Sequence, residues 1–183
     1  MAKIAIFMAN GCEEIEALTV VDLLRRAGIS IDMLDLEGTK VVRGAHGITI
    51  QSDGTIDEAD AMQYDGIVLP GGMPGTTHLK EDERVCQWVR EFAISGKLVA
   101  AICAAPTVLG HCGILKGKKA TCYPGCEDGL NGANFSTDSV VIDGNIVTSR
   151  GMGTAIDFGL ALITYLLDEE TSKQLAQGIV YRP

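Results

Sequence analysis

Residues 97–103 form a short, mainly apolar run that leads directly into a helical pattern. Such a run is typical of a strand that is buried on both faces of a parallel sheet. The next segment, 104–110, contains Pro106, which suits the first turn of a helix because its missing N–H needs no partner there. This junction favours an α/β chain, in which strands are followed by helices that cover the sheet.

Cys103 is the last residue of the apolar run and lies directly before the helical segment. A thiol at a helix N-terminus faces unpaired N–H groups and the positive end of the helix dipole. Both stabilise the thiolate, which is the reactive form. The position therefore indicates a nucleophile. The alternative is a buried structural cysteine, because free cysteine is among the most buried residue types.

Apolar strands alternate with helices along the whole chain. Strands are predicted at 3–8, 31–36, 47–51, 64–69, 97–103, 140–142 and 146–148, and helices at 14–27, 82–95, 107–113, 154–167 and 172–175. The tripeptide 143–145, Asp-Gly-Asn, predicts a hairpin between the last two strands. This order predicts a doubly wound α/β sandwich with a mostly parallel central sheet. In such sheets, binding sites lie at the carboxyl ends of the strands.

Length and charge limit the class of protein and its partners. With 183 residues, the chain is expected to form a single domain over 1–183. Its net charge of −9 disfavours nucleic-acid backbones and acidic membrane surfaces as partners. No apolar run approaches the ~20 residues of a membrane span. The strand at 3–8 leaves no room for a signal peptide, so a cytoplasmic location is expected.

The six cysteines are expected to be free thiols. Cys122 and Cys126 lie four apart, but no second pair of ligands completes a zinc site, so no metal is predicted. Cys12 would pair with Cys103 only if their two loops meet at the strand ends. No motif for an organic cofactor is present, so none is expected.

Three acids, Glu13, Glu14 and Glu16, follow the first strand. Carboxylates at a helix N-terminus complement the dipole, and this explanation suits Glu13 and Glu14. Glu16 lies between apolar residues and is a candidate to face Cys103. An ionised carboxylate would repel a thiolate, so a functional Glu16 is expected to be protonated and to donate a hydrogen bond. The alternative for Glu16 is the same dipole role.

Gly71 and Gly72 follow the strand at 64–69. Glycines at a strand end allow a tight turn, and they also let backbone N–H groups approach a reacting oxygen. The N–H of Gly72 and that of Ala104, which follows the nucleophile, would together form an oxyanion pocket.

A histidine base is the usual partner of a catalytic cysteine. The chain has three histidines, His46, His78 and His111, and none of them follows Cys103 directly. His78 and His111 are expected on the surface. His46, before a predicted strand, and Tyr123, in a loop, are candidates to line the site, with half-buried packing as the alternative for Tyr123.

Four segments, 11–16, 69–72, 100–106 and 148–154, together resemble the ThiJ/PfpI superfamily. Within it, the chain is most similar to the branch that contains the bacterial YajL proteins and human Parkinson disease protein seven. The segments fall in the same order and span nearly the whole chain. The resemblance implies a flavodoxin-like sandwich, a homodimer, and Cys103 as the reactive thiol.

The resemblance also implies roles for the neighbours of Cys103. Glu16 would be its protonated hydrogen-bonding partner, and Gly72 and Ala104 would lend backbone N–H groups. Arg150 matches a position that the family uses near its dimer interface and the rim of the site, with solvated loop charge as the alternative. Gly71 is a further candidate to line the site.

The chain departs from the superfamily pattern at three positions. Protease-like members carry a histidine directly after the cysteine, where this chain has Ala104, so a peptidase is not expected. The human-type branch places a histidine near the thiol where Tyr123 aligns, which would leave proton transfer to Tyr123 or Glu16. An arginine that the family often carries beside the third strand aligns with His46, which weakens a transferred anion site.

The resemblance implies a glyoxalase- or deglycase-type enzyme without a cofactor. Cys103 would attack methylglyoxal, glyoxal or the adducts they leave on proteins and nucleotides, and nucleic acid would be a partner only as a glycated substrate. The rival is a redox-responsive stress protein, in which Cys103 is oxidised to the sulfinic acid beside Glu16. The same residues serve both hypotheses, so both stay open. A role in thiamine-precursor metabolism lacks a phosphate-binding loop, and no feature marks a chaperone.

Overall fold

Strands and helices alternate through most of the computed structural model, which describes residues 2–182. In chain order the elements are β1 (Lys3–Met8), α1 (Glu14–Arg26), β2 (Ser30–Asp35), β3 (Val41–Arg43), β4 (Thr49–Gln51), β5 (Gly54–Thr55), β6 (Gly66–Leu69), α2 (Gly75–Glu81), α3 (Glu83–Ile94), β7 (Leu98–Ile102), α4 (Pro106–His111), β8 (Lys119–Ala120), β9 (Asn134–Phe135), β10 (Val140–Asp143), β11 (Ile146–Ser149), α5 (Ala155–Leu166) and α6 (Glu169–Gly178). Within residues 2–182, no helix combines the length and the apolar character that crossing a bilayer requires.

Seven strands form the central sheet, in the order β10-β11-β7-β6-β1-β2-β5. Neighbouring strands pair in parallel, except that β10 and β11 form an antiparallel hairpin at one edge. The predicted fold class, α/β with a mostly parallel central sheet, is confirmed. The hairpin predicted around residues 143–145 is also present.

Both faces of the sheet are covered by apolar side chains. On one face, Trp88 of α3 packs edge-on against Phe7 of β1, with ring centroids 5.4 Å apart. On the other face, Leu24 of α1 and Phe158 of α5 are completely buried. All five positions of β7 are buried, as the apolar run at 97–103 predicts for a strand covered on both sides.

The sequence pattern misplaced some of the smaller elements. The strand predicted at 47–51 does not join the central sheet; β4 pairs with β3 in a separate antiparallel ribbon. Helix α2 was not predicted, because Pro74 and Gly75 at its start are residues that usually mark loops. The helix predicted at 172–175 is longer and begins earlier, since the Asp168 side chain accepts a hydrogen bond from the Thr171 N–H.

Candidate active site

Four loops meet at the carboxyl edge of the sheet. They follow β1, β6, β7 and β11, which are neighbours in the order β11-β7-β6-β1. Because parallel strands all end at the same edge, the loops that begin at residues 9, 70, 103 and 150 converge. These loops contain parts of the four segments, 11–16, 69–72, 100–106 and 148–154, that carry the family resemblance, and the fold brings them together.

Cys103 occupies a strained turn between β7 and α4. Its φ angle is +67°, a left-handed conformation that residues other than glycine rarely adopt. The turn is fixed on both sides, since the Cys103 N–H donates to the Ser149 carbonyl at 3.0 Å and its carbonyl accepts from the Tyr123 N–H at 2.8 Å. The side chain is a free, half-buried thiol, so the conformation holds the sulfur at the pocket.

Glu16 projects inward from the first turn of α1 and is only 1% exposed. Its Oε2 accepts a hydrogen bond from the Gly71 N–H at 2.9 Å, and its carboxyl also hydrogen-bonds the Cys103 side chain. Burial raises the pKa of Glu16 to about 7, and the charge of Glu13 adds to this, against the hydrogen bonds from Cys103 and Gly71. The carboxyl group is therefore able to hold a proton near neutral pH.

The pKa of Cys103 is raised to about 12, first by burial and then by the charge and the hydrogen bond of Glu16. The N–H groups of Gly72 and Ala104 act in the opposite direction, as donors that favour the thiolate. The helix N-terminus favours the thiolate, as expected from the sequence, but burial and the charge of Glu16 outweigh it and raise the pKa. A proton on Glu16 removes the repulsion and lets the carboxyl O–H donate to the sulfur, so the two groups ionise as a pair.

Gly71 and Gly72 bring the loop after β6 into contact with this pair. A β-carbon on residue 71 would lie 2.5 Å from the Cβ of Cys103 and 2.7 Å from Oε2 of Glu16. Gly72 has a φ of +89°, and its backbone packs against the backbone of residues 11–13. Only glycine permits this approach, which places the Gly72 N–H beside the sulfur.

A pocket of about 900 Å³ opens over the thiol. It is lined by Glu13, Glu16, His46, Gly72, Met73, Cys103, Ala104, Tyr123, Pro124, Gly125, Cys126, Arg150, Gly151, Met152, Gly153 and Thr154. The candidate residues His46, Tyr123 and Arg150 thus lie at the pocket, together with Gly72 and Ala104. His78 and His111 do not line it; the His78 ring contacts the Asn10 carbonyl at 2.9 Å.

The sequence analysis missed Met73, Cys126 and Met152 as lining residues. Met73 is 61% exposed and Met152 is 58% exposed, so both form the rim of the pocket. Met73 follows β6 and Met152 follows β11, so the rule that sites lie at the ends of the strands would have identified both methionines.

Glu14 does not act as a simple exposed acid at the start of α1. It is 1% exposed, and its Oε1 accepts from the His46 N–H at 2.8 Å and from the Ile48 N–H at 3.3 Å. Its Oε2 lies 3.1 Å from Nδ1 of His46, whose pKa is raised by this hydrogen bond and by the charges of Glu13 and Glu14. Glu14 thus holds the loop that carries His46 against the site.

Metal-ligating groups also occur beside the pocket. Glu13, Glu14 and His46 offer ligand atoms within 4.8 Å of one another, although both oxygens of Glu14 already have protein partners. Cys12, Cys122 and Cys126 are free thiols, and Cys12 and Cys122 are completely buried.

The fold and the site define a flavodoxin-like α/β protein with a cysteine at the sharp turn after a central strand. The family model described as the DJ-1/PfpI family matches residues 2–165, and the chain belongs to this family. This is the ThiJ/PfpI superfamily indicated by the four sequence segments, and that assignment is confirmed. Its DJ-1 homologues support the predicted role in stress response.

Individual relatives cover nearly the whole chain. It is 37% identical to protein dj-1beta of Drosophila melanogaster over 183 residues, 98% of both chains, and the crystal structure of that protein superposes with a TM-score of 0.95 over 100% of each. Oxidized DJ-1 of Toxoplasma gondii is 35% identical, with a TM-score of 0.96 over 100% of each chain. Protein DJ-1 homolog B of Arabidopsis thaliana is 38% identical over 99% of this chain, which spans 42% of that longer relative.

Proposed function

We propose that the protein is a cysteine-dependent enzyme of the glyoxalase and deglycase type, acting on 2-oxoaldehydes and their adducts in carbonyl stress. The observation that carries this proposal is the group formed by Cys103 and Glu16. A thiol, a carboxyl group whose pKa is about 7, and the N–H groups of Gly72 and Ala104 meet in one open pocket. These are the parts that attack on a carbonyl carbon requires.

For methylglyoxal, the thiolate of Cys103 attacks the aldehyde carbon C1, and a new C–S bond replaces the C=O π bond. The oxygen that becomes negative accepts hydrogen bonds from the Gly72 and Ala104 N–H groups and then takes a proton. The carboxylate of Glu16 removes the proton from C1, which gives an enediolate, and the hydroxyl proton of C1 passes to the oxygen of C2. The protonated Glu16 then returns a proton to carbon C2, which becomes a CHOH group, while C1 becomes a carbonyl again. The product at C1 is a thioester of lactate, and water cleaves it to lactate and the free thiol.

Glu16 suits both proton steps because its pKa of about 7 leaves both protonation states populated near neutral pH. The overall reaction adds one water to methylglyoxal, so no electrons enter or leave. In the deglycase variant, the carbon under attack is the aminocarbinol carbon, and the amine of the protein or nucleotide is the leaving group.

The test is lactate formation from methylglyoxal in D₂O, followed by proton NMR. The wild-type protein should form lactate, and Cys103→Ser should form none above buffer. Glu16→Gln keeps the size of the side chain and its ability to form hydrogen bonds. Its turnover should fall at least about a hundredfold, because an amide acts neither as a general acid nor as a general base. Cys126→Ser, which changes another thiol of the same pocket, is the matched control and should keep its activity. Equal rates for the wild type and Cys103→Ser would refute the enzyme.

The second candidate is a redox sensor, which is favoured by the oxidized form in which the Toxoplasma relative was solved. One thiol and two molecules of hydrogen peroxide give the sulfinic acid and two waters, and a protonated Glu16 would hydrogen-bond the sulfinate oxygens. Mass spectrometry after titration with peroxide tests this hypothesis. Two added oxygens at Cys103, in a protein that does not turn over methylglyoxal, would favour the sensor.

We also propose a homodimer and a cytoplasmic location, which the resemblance and the composition support. A groove of about 530 Å³ between α1 and α5, lined by Leu18, Leu23 and Ile156 among others, is a candidate for part of the contact. Light scattering coupled to gel filtration should give twice the chain mass, and a monomer at micromolar concentration would contradict the dimer.

A further inference from the structure

Two buried cysteines that the mechanism above does not use, Cys86 and Cys112, are in contact with each other. Cys86 lies in α3 and is 1% exposed, and Cys112 directly follows α4 and is 8% exposed. The thiol of Cys86 donates a hydrogen bond to the Lys80 carbonyl at 3.4 Å, and the thiol of Cys112 is hydrogen-bonded to that of Cys86. The two sulfur atoms therefore meet where α3 packs beside the end of α4.

The pair lies apart from the site of Cys103. Cys103 precedes the first turn of α4, whereas Cys112 follows the last residue of that helix, so the helix separates the two thiols. Neither Cys86 nor Cys112 lines the pocket over Cys103. The two cysteines thus form a second thiol site on the same chain.

A small reagent can reach one of the two thiols from the surface. A cavity of about 390 Å³ is lined by Arg90, Ala93, Ile94, Cys112, Gly113 and Ile114. Ile94 at its edge is 88% exposed, so the cavity opens to solvent. Cys86 is not among the lining residues, so a reagent that enters meets Cys112 first and Cys86 behind it.

The surroundings of the pair favour an uncharged oxidation product. Burial raises the pKa of Cys112 to about 12, and the hydrogen bond and charge of Cys86 add to this, against the guanidinium of Arg90. The same burial disfavours a sulfinate or a sulfonate, because each places a negative charge in an apolar environment. A disulfide carries no charge, so it suits this site better than either acid.

We propose that Cys86 and Cys112 are a redox pair, which a peroxide converts into a disulfide between α3 and the residue that follows α4. The sulfur of Cys112 attacks one oxygen of hydrogen peroxide, the O–O bond breaks, and a sulfenic acid and one water form. The sulfur of Cys86 then displaces the sulfenic oxygen as a second water, and the S–S bond forms. The two thiols lose two protons and two electrons in total, and one peroxide molecule is reduced to two waters.

The first experiment looks for the disulfide directly, in Cys103→Ser, because the tryptic peptide 98–116 of the wild type contains both Cys103 and Cys112. The protein is treated with hydrogen peroxide, its free thiols are blocked with iodoacetamide in denaturant, and the non-reduced digest is analysed by mass spectrometry. Peptide 85–90, which contains Cys86, should be linked to peptide 98–116. The linked mass should be two hydrogen atoms below the sum of the two peptides, and dithiothreitol should separate them.

Three results would overturn the redox pair. The first is full alkylation of Cys86 and Cys112 after an exposure to peroxide that oxidises Cys103 in the wild type. The second is a sulfinic acid at Cys112, which dithiothreitol does not reverse. The third is a linked peptide found only in a species of twice the chain mass, because the bond would then join two chains.

The second experiment measures thermal unfolding with and without peroxide. A cross-link within one chain restricts its unfolded state, so peroxide should raise the Tm of Cys103→Ser by about 5 °C or more. The double variant Cys103→Ser/Cys112→Ser cannot form the bond, and its Tm should not rise. Cys103→Ser/Cys122→Ser is the matched control, since it removes a different buried thiol, and it should keep the rise. An equal rise without Cys112 would assign the effect to another oxidation and overturn the proposal.

Discussion

Gly71 lies so close to Cys103 that a β-carbon on residue 71 would be 2.5 Å from the Cβ of Cys103. The same β-carbon would be 2.7 Å from Oε2 of Glu16. Because Gly71 has no side chain, the thiol and the carboxyl group can both lie against its backbone. Its N–H donates a hydrogen bond to Oε2 of Glu16.

Gly71→Ala should destabilise the protein by about 1–3 kcal/mol, because the added methyl group overpacks a buried site. Urea unfolding measures this change. The matched control is Gly153→Ala in the same pocket, where an added β-carbon meets nothing within 4 Å, so its stability should stay within about 0.5 kcal/mol of the wild type. Equal effects of the two substitutions would contradict the close approach at Gly71.

Glu16 should make stability depend on pH. Its pKa is raised from 4.5 to about 7 by burial, so its contribution to stability is fully present below pH 4.5 and is lost as the pH rises through 7. Relative to Glu16→Gln, which cannot ionise, the wild type should lose roughly 3 kcal/mol of unfolding free energy between pH 4.5 and pH 8. Urea unfolding of both proteins across this range measures the difference, and parallel pH profiles would show that Glu16 has an ordinary pKa.

The rate of Cys103 alkylation should show how the ionised carboxylate of Glu16 affects the reactivity of the thiol. The carboxylate of Glu16 raises the pKa of Cys103, and above pH 7 this carboxylate is charged. Glu16→Gln should therefore be alkylated by iodoacetamide several-fold faster than the wild type at pH 8.5. Peptide mapping confirms the site of labelling. A slower reaction in Glu16→Gln would mean that the carboxyl group activates the thiol even above pH 7.

Glu14→Ala should loosen the loop that carries His46. The substitution leaves the N–H groups of His46 and Ile48 without their acceptor, which costs about 1–3 kcal/mol. Hydrogen exchange at these two amides and urea unfolding provide the measurements. Glu13→Ala serves as the control, because the Glu13 side chain accepts no backbone hydrogen bond in residues 2–182, and it should leave both amides protected.

Tyr123→Phe should change the turnover of methylglyoxal by less than about twofold. Tyr123 is 52% exposed, and its hydroxyl makes no hydrogen bond within residues 2–182, so it is poorly placed to move a proton. Lactate formation measures the effect. A loss as large as that of Glu16→Gln would assign the proton transfer to Tyr123.

The sequence predicted the parts of this protein that local pattern controls. The apolar run ending at Cys103 and the glycines after β6 identified the strand ends, and the topology of a parallel sheet brings those ends together. Glu16 was a candidate because apolar neighbours flank it, and the structure places it inward.

Other features depend on tertiary contacts that no local pattern records. Cys103 meets Glu16 and Gly71, which lie far from it in the chain, only because the strand ends converge. Glu14 resembles a helix-start acid in sequence, and only the fold of residues 44–48 over it makes it an internal acceptor. The strand predicted at 47–51 shows the same limit, since its partner β3 was not predicted and the two strands pair with each other and not with the sheet.

The φ of +67° at Cys103 has a consequence for how such a chain evolves and how it is engineered. Glycine adopts this conformation without steric cost, whereas a side chain there costs of order 1–3 kcal/mol. A drift from cysteine to glycine would therefore make the chain more robust to heat while silencing its thiol. Selection or directed screening for thermostability alone would tend to replace this residue, so a screen for stable variants of this chain needs a separate assay for the thiol.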